Sequence, residues 1–429
     1  MKKLLTIFGL SNLFLASAQQ KIEEVFPLKW KQKIGVTTYR TNMVLDQGVL
    51  FIGSNGEDRN QELDKLDGIY ALDATTGKLK WHFQMEMLGD NDVTGVAVSG
   101  DKVFFGTDNY YFFCLNKDTG KQLWKFRTPN DVESMSTLAD LNGDSKEDVV
   151  FTVENFGVYV LDSEDGRLIW KQDSIGTSGN HVPLCLDLNE DGVKDVIVGG
   201  RGTPYTNRTA GFKMEHYGDY LFAFDGKNGK PLWQVPFGSN LHASPVAYKD
   251  ERIGWVICMV SAYCELKFLN VKGEKLWSYS FGYGCFASPS LSDHNIGIAT
   301  SWGRNGGFGI YEKSHFVKED SKYKYADTSD VVSSSSAIAD ISGDDGMEFI
   351  ALDEANRMLI IPESKNEDSY HLILPKGGEA TPYVLDVDGD GTNEILVASL
   401  DGYLYCYSTK RKGKVLWEGF RGGRKNGVY

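Results

Sequence analysis

One pattern recurs along this chain of 429 residues: an apolar strand, a polar turn with glycine, then Lys or Arg, then tryptophan. It reads "IYALDATTGKLKW" up to Trp81, "YFFCLNKDTGKQLW" up to Trp124 and "VYVLDSEDGRLIW" up to Trp170, and it returns before Trp233, Trp277 and Trp417. Spacings run from 43 to 63 residues, and the 140-residue gap before Trp417 holds three periods. Two degenerate units fit that gap, "FGIYEKSHFVKEDSKYKYA" and "RMLIIPESKNEDSYHLIL", which makes eight units. Each unit has room for a small-residue strand such as "HASPVAY", an apolar strand such as "DVIVGG", and the hairpin that ends in tryptophan. Alternation of period two and glycine turns run throughout, and no long stretch has helical period. Four-stranded units repeated at this period bury their faces only against one another, so the sequence predicts an all-β, single eight-bladed β-propeller, with seven blades as the alternative. Residues 19–429 are expected to form that one domain. The segment "FPLKWKQKIG" around Trp30 suits an outer strand lent to the last blade, and "KVLWEGF" competes for the same role.

The first 18 residues read as a secretory signal peptide: two lysines, an apolar run, then Ala16-Ser17-Ala18. The run is too short and interrupted for a membrane span, and no later segment is apolar enough for one. No cysteine follows the cleavage point, so a bacterial lipid anchor is not expected, and the mature chain should be exported and soluble. A net charge of −14 argues against nucleic acid as a partner, because phosphate binding needs a basic surface.

Four short loops place acids on alternate positions just before an apolar strand. Their oxygen side chains are Asp140, Asn142, Asp144 and Asp148 in the third unit, and Asp187, Asn189, Asp191 and Asp195 in the fourth. The seventh has Asp340, Ser342, Asp344 and Glu348, and the eighth Asp386, Asp388, Asp390 and Glu394. Hard oxygen ligands in a tight loop suit Ca²⁺, which is expected to be structural; an acidic turn without metal is the alternative.

The hairpins of the form LDxxTGKxxW resemble the pyrroloquinoline-quinone-type propeller repeat of quinoprotein dehydrogenases and of the outer-membrane assembly propeller. The acidic loops resemble the calcium loops of integrin-type and lyase-type propellers. That resemblance covers nearly all of the mature chain and implies fold more than function. It also implies that the tryptophans pack between blades.

The cysteines divide into two groups. Cys114, Cys185 and Cys406 read as small core residues. Cys258, Cys264 and Cys285 cluster in sequence with His242, which permits a Cys₃His zinc site; a Cys258–Cys264 disulfide and plain buried thiols are the alternatives. No two cysteines are adjacent, whereas quinone-dependent relatives carry a vicinal pair, so no pyrroloquinoline quinone is expected.

Ligands of propellers sit on the face where the inner strands begin. Aligning the units puts Asp92, Glu133, Asn180, His242, Phe286, Ser333 and Glu379 around that mouth, with His181 beside Asn180. The longest unit adds "GGRGTPYTNRTAGFKMEHYGDY", and the sixth adds "SWGRNGGFG". Long insertions of this kind usually carry function. In outline the chain is similar to secreted propeller lyases that act on ulvan or rhamnogalacturonan, although such ulvan lyases have seven blades. The leading expectation is therefore β-elimination on a uronate-containing polysaccharide, sulfated algal or pectic. Arg201 or Arg208 would neutralise the carboxylate, and His181, His216 or Tyr217 would move the proton. Tyr205, Lys213, Trp302 and Arg304 would bind the sugar. The alternative is a non-catalytic periplasmic or extracellular scaffold that binds glycan or a cell-envelope protein, as the assembly propeller does.

Overall fold

The glycine turn that begins at Asp or Asn in these hairpins closes on itself. Asp73 accepts from the Thr76 N–H at 3.0 Å and hydroxyl at 2.7 Å, and Asn116 does the same for Thr119. Such side-chain acceptors stabilise a tight turn ahead of a left-handed residue. That residue is glycine each time: Gly77, Gly120, Gly166, Gly229 and Gly273 have φ between 67° and 76°. The hairpin then delivers its tryptophan at a fixed distance from the turn.

In a computed structural model hairpins form the outer halves of blades 1 to 7 of eight antiparallel sheets around one axis. The structure describes residues 20–57, 64–84, 91–177, 181–202, 218–237, 241–262, 265–280, 284–300, 306–313, 322–327, 331–364, 366–425 and 428–429. The all-β, eight-bladed propeller is as the repeats predict, and the only α-helix among the described residues is the single turn Ile22–Val25. Blade 3 is representative: Thr137–Ala139 innermost, then Asp148–Val153, Gly157–Leu161 and Leu168–Gln172. The degenerate units fold as blades too, blade 6 beginning at Ser290–Leu291 and blade 7 at Ala337–Ala339.

The competition for ring closure has a clear outcome. Leu28–Lys33 pairs with Tyr403–Ser408 as the outer strand of blade 8, Trp30 opposite Cys406. The C-terminal strand Val415–Trp417 instead adds a fifth strand to the axial edge of blade 7, Ile338 opposite Trp417.

Tryptophans pin one blade to the next. Trp30, Trp81, Trp124, Trp170 and Trp233 each donate Nε1–H to a carbonyl in the turn of the following blade, at 2.6–3.1 Å. Each indole also lies on that turn's glycine, where a Cβ would come within 2.5–2.7 Å of the ring. Only glycine satisfies both the positive φ and this approach. Between blades, the core consists of strand residues such as Phe104, Phe112 and Phe151, all fully buried.

Candidate functional site

Two faces follow from the topology. The upper face is where inner strands begin, and the lower face carries the four acidic loops.

On the upper face, polar pairs ring the axis. Arg40 meets Glu133 at 2.9 Å, Asn55 donates to Asp92 at 2.5 Å, and Ser333 donates to Glu354 at 2.8 Å. Burial raises the Glu133 carboxyl, opposed by the Arg40 charge. The His242 ring packs on Phe286 at 4.9 Å, and Tyr39 approaches Phe286 at 6.4 Å. Burial pushes the His242 pKa down, with Arg40 and Arg201 adding to that. Beside His242 lies a cavity of about 150 Å³ between blades 3, 4 and 5, lined among others by Glu154, Thr177, Arg201 and Asp219. Arg201 reaches Asp219 at 3.1 Å, and Asp219 also accepts the Leu241 N–H at 3.0 Å.

His181 does not reach this surface. It is fully buried, its Nε2 lies 2.5 Å from the Leu241 carbonyl, and it fills the space that Gly199 leaves open. Burial holds its pKa down at about 3, so the ring is neutral and its Nε2 carries the proton toward that carbonyl. Tyr205, Arg208, Lys213, His216 and Tyr217, with Asn180, Trp302 and Arg304, lie outside the described residues. So does the segment 1–18. Sequence reading missed Tyr39 and Arg40, which stand before the first blade and outside the repeat.

The acidic loops share one internal geometry. The first acid accepts backbone N–H groups, as Asp140 does from Gly143 and Ser145 and Asp386 from Gly389 and Gly391. The last acid is buried and accepts the N–H one residue after the first: Leu141 to Asp148, Leu188 to Asp195, Ile341 to Glu348, Val387 to Glu394. Burial raises all four of these carboxyls, Asp148 to about 6 and Glu348 to about 7. Among the described residues two sets bring three carboxylate oxygens within 4.8 Å of one another: Asp340, Asp344 and Glu348, and Asp386, Asp388 and Glu394. In blade 3 the Asn142 amide instead donates to Asp148 at 2.9 Å, and in blade 4 Asp191 pairs with Lys227 at 2.8 Å. In blade 8 the Lys29 ammonium, from the closing strand, sits 2.5 Å from Asp388 and 3.0 Å from Glu394.

Cys258 and Cys285 are fully buried in the apolar cluster between blades 5 and 6, while His242 faces the cavity. Cys264 lies outside the described residues, and the other three do not gather into one ligand set. Cys114, Cys185 and Cys406 are buried free thiols.

The axis itself is filled. Phe420 and Arg421, which follow the fifth strand of blade 7, are buried between the inner strands at 5% and 0% exposure. A small-molecule site typically needs about 300 Å³ or more. Among the described residues the axis is occupied by Phe420 and Arg421, and the adjoining cavity is about 150 Å³.

Comparison with known proteins decides the kinship. The family model described as "Outer membrane protein assembly factor BamB" matches residues 65–202 and 154–283, which together span half of the chain. The chain belongs to this family. A second model, the lambda-carrageenase β-propeller domain, matches residues 381–425. Among curated relatives, tetrathionate hydrolase of Acidithiobacillus ferrooxidans is 28% identical over 174 residues, 40% of this chain and 32% of its own length. Quinoprotein ethanol dehydrogenase of Pseudomonas putida is 36% identical over 120 residues, 24% of this chain and 19% of its own. The chain thus spans a third or less of these relatives. Solved structures share the fold: BamB from Moraxella catarrhalis at TM-score 0.61 and 12% identity, covering 90% of this chain and 100% of that one, and quinohemoprotein alcohol dehydrogenase from Comamonas testosteroni at 0.67 and 13%, covering 91% and 77%.

These relatives overturn the expectation of a polysaccharide lyase. They are an assembly factor, oxidoreductases and a hydrolase. The acidic-polysaccharide partner loses its support with it. The membrane expectation stands in its plain form: among the described residues no helix is long and apolar enough to cross a membrane.

Proposed function

We propose that this chain is a non-catalytic, exported propeller that holds a cell-envelope protein on its upper face. The observation that carries this reading is the filled axis. Phe420 and Arg421 occupy the place where a propeller enzyme would gather cofactor and substrate. What stays accessible above them is a rim of Tyr39, Arg40, His242 and Phe286, amphipathic groups of the kind that anchor protein interfaces. Membership in the assembly-factor family agrees with this. Residues 1–18 would direct export.

Calcium belongs to the same proposal as a structural ion of the lower face. The clustered oxygens of Asp340, Asp344 and Glu348 support it best, since in blade 8 an ion has to displace the Lys29 ammonium.

The test is photo-crosslinking in the native host, with a crosslinking amino acid placed at Tyr39 or Phe286 and, as control, at the exposed Asp144 of the lower face. A partner adduct of one mass from the upper positions alone is expected. Adducts from neither face, or quinone-dependent dye reduction by the purified chain supplied with quinone and Ca²⁺, would remove the scaffold reading.

A further inference from the structure

The described parts of the C-terminal segment lie against the inner strands around the axis. Val415–Trp417 climbs along the first strand of blade 7. The chain reverses at Arg421, Gly422 and Gly423, all with φ between 51° and 80°. Further along the chain, Val428 bridges Cys185 of blade 4 in parallel and the Tyr429 N–H donates to the Cys185 carbonyl at 3.1 Å. At the reversal Arg421 is fully buried. Its Nη1 donates to the carbonyls of Val182 and Pro183 at 3.1 and 3.0 Å, and its Nη2 to that of Pro245 at 2.7 Å. All of these acceptors are backbone oxygens of blades 4 and 5.

Every blade has its four strands without the C-terminal segment, and Leu28–Lys33 already closes the circle. A buried guanidinium held by carbonyls is also a poor filler, since an apolar side chain of similar volume avoids its desolvation. Such a group adds specificity: a planar fork reads oxygens set at fixed positions. Edge pairing with blade 7 supplies backbone affinity, as in strand addition to a sheet. The approach to the channel is an exposed basic linker, with Lys410, Arg411, Lys412 and Lys414 at the surface.

We propose that the axial wall formed by the inner strands of blades 4, 5 and 7 is a binding site for an extended peptide with an aromatic–arginine pair, and that Val415–Tyr429 is its built-in occupant. Trp417 and Phe420 fill the apolar part of the axis, Arg421 reads the carbonyls, Val415–Trp417 pairs with the edge of blade 7, and Val428 makes a single bridge to blade 4. The proposal shares the filled axis with the scaffold reading, since Phe420 lines one pocket with Tyr39, Arg40, His242 and Phe286; peptide exchange tests the axis and the crosslinks test the rim, so the two can fail separately.

The test uses the full chain with a specific protease site inserted between the exposed Arg411 and Lys412. After cleavage, the fragment is expected to stay bound through gel filtration. It should exchange with a labelled synthetic peptide of residues 412–429, while the ring keeps its cooperative unfolding. A peptide carrying Arg421→Ala should bind roughly 10–100-fold more weakly, as for loss of a charged hydrogen-bond donor. Because that substitution is in the peptide, folding of the ring is not at issue. Three results would each overturn the proposal: immediate loss of the fragment on cleavage, exchange only at global unfolding, or equal binding of the peptides with and without Arg421→Ala.

Discussion

Gly120→Ala isolates the tryptophan lock between blades 1 and 2. At Gly120 φ is 67°, and a Cβ would lie 2.7 Å from Cδ2 of Trp81, whose Nε1 donates to the Lys117 carbonyl at 2.8 Å. Gly100 serves as control: φ is 58°, and nothing lies within 4 Å of its Cβ position. Both substitutions carry the left-handed penalty of an L-residue, about 1 kcal/mol. Gly120→Ala must in addition displace an indole, which adds overpacking and a weakened hydrogen bond, about 2 kcal/mol more. For a ring of this size the unfolding entropy makes 1 kcal/mol worth about 1 °C in Tm. Gly100→Ala should then lower Tm by about 1 °C and Gly120→Ala by about 3 °C, with matching shifts in urea midpoint. Trp81→Ala combined with Gly120→Ala should fall well short of the sum of the two losses, because the methyl then has room. Equal shifts for the two glycines, or strict additivity with Trp81→Ala, would refute the lock.

Acid should weaken the fold through His181. Its pKa is about 3 in the fold against 6.5 for the free side chain, so the unfolded state gains the proton first. The His181 contribution is intact above pH 6.5 and is lost progressively as pH falls toward 3, about 5 kcal/mol in full, which urea midpoints measured across that window would reveal. Ca²⁺ should raise Tm after chelator treatment, and Asp344→Ala should reduce that rise; no response to chelation would exclude structural calcium. Lys29→Met should cost about 2 kcal/mol without calcium, since buried Glu394 loses its cation, and added Ca²⁺ should recover most of it. A variant equally stable with and without Ca²⁺ would show that Lys29 does not share a cation site.

The relatives overturn the lyase expectation, and two features of the site were not legible in the sequence. His181 stands beside Asn180 in the alignment of units, which puts it near the mouth, but its ring turns inward to Leu241, 60 residues away. The acidic loops look alike in sequence, yet Asn142, Lys227 and Lys29 give three of them different partners.

The sequence by itself determined what is local and repeated. The glycine turns, the two-residue alternation and the spaced tryptophans dictated eight four-stranded blades, because each acts within a hairpin or on the next turn. Tertiary structure alone decided which terminus closes the ring and what fills its axis. Those outcomes rest on contacts between residues far apart in the chain, Lys29 to Glu394 across 365 residues and Arg421 to Val182 across 239. "FPLKWKQKIG" and "KVLWEGF" have the same strand pattern, so periodicity cannot choose between them. The choice falls to the register of Trp30 on blade 8 and to the carbonyl cage that accepts Arg421.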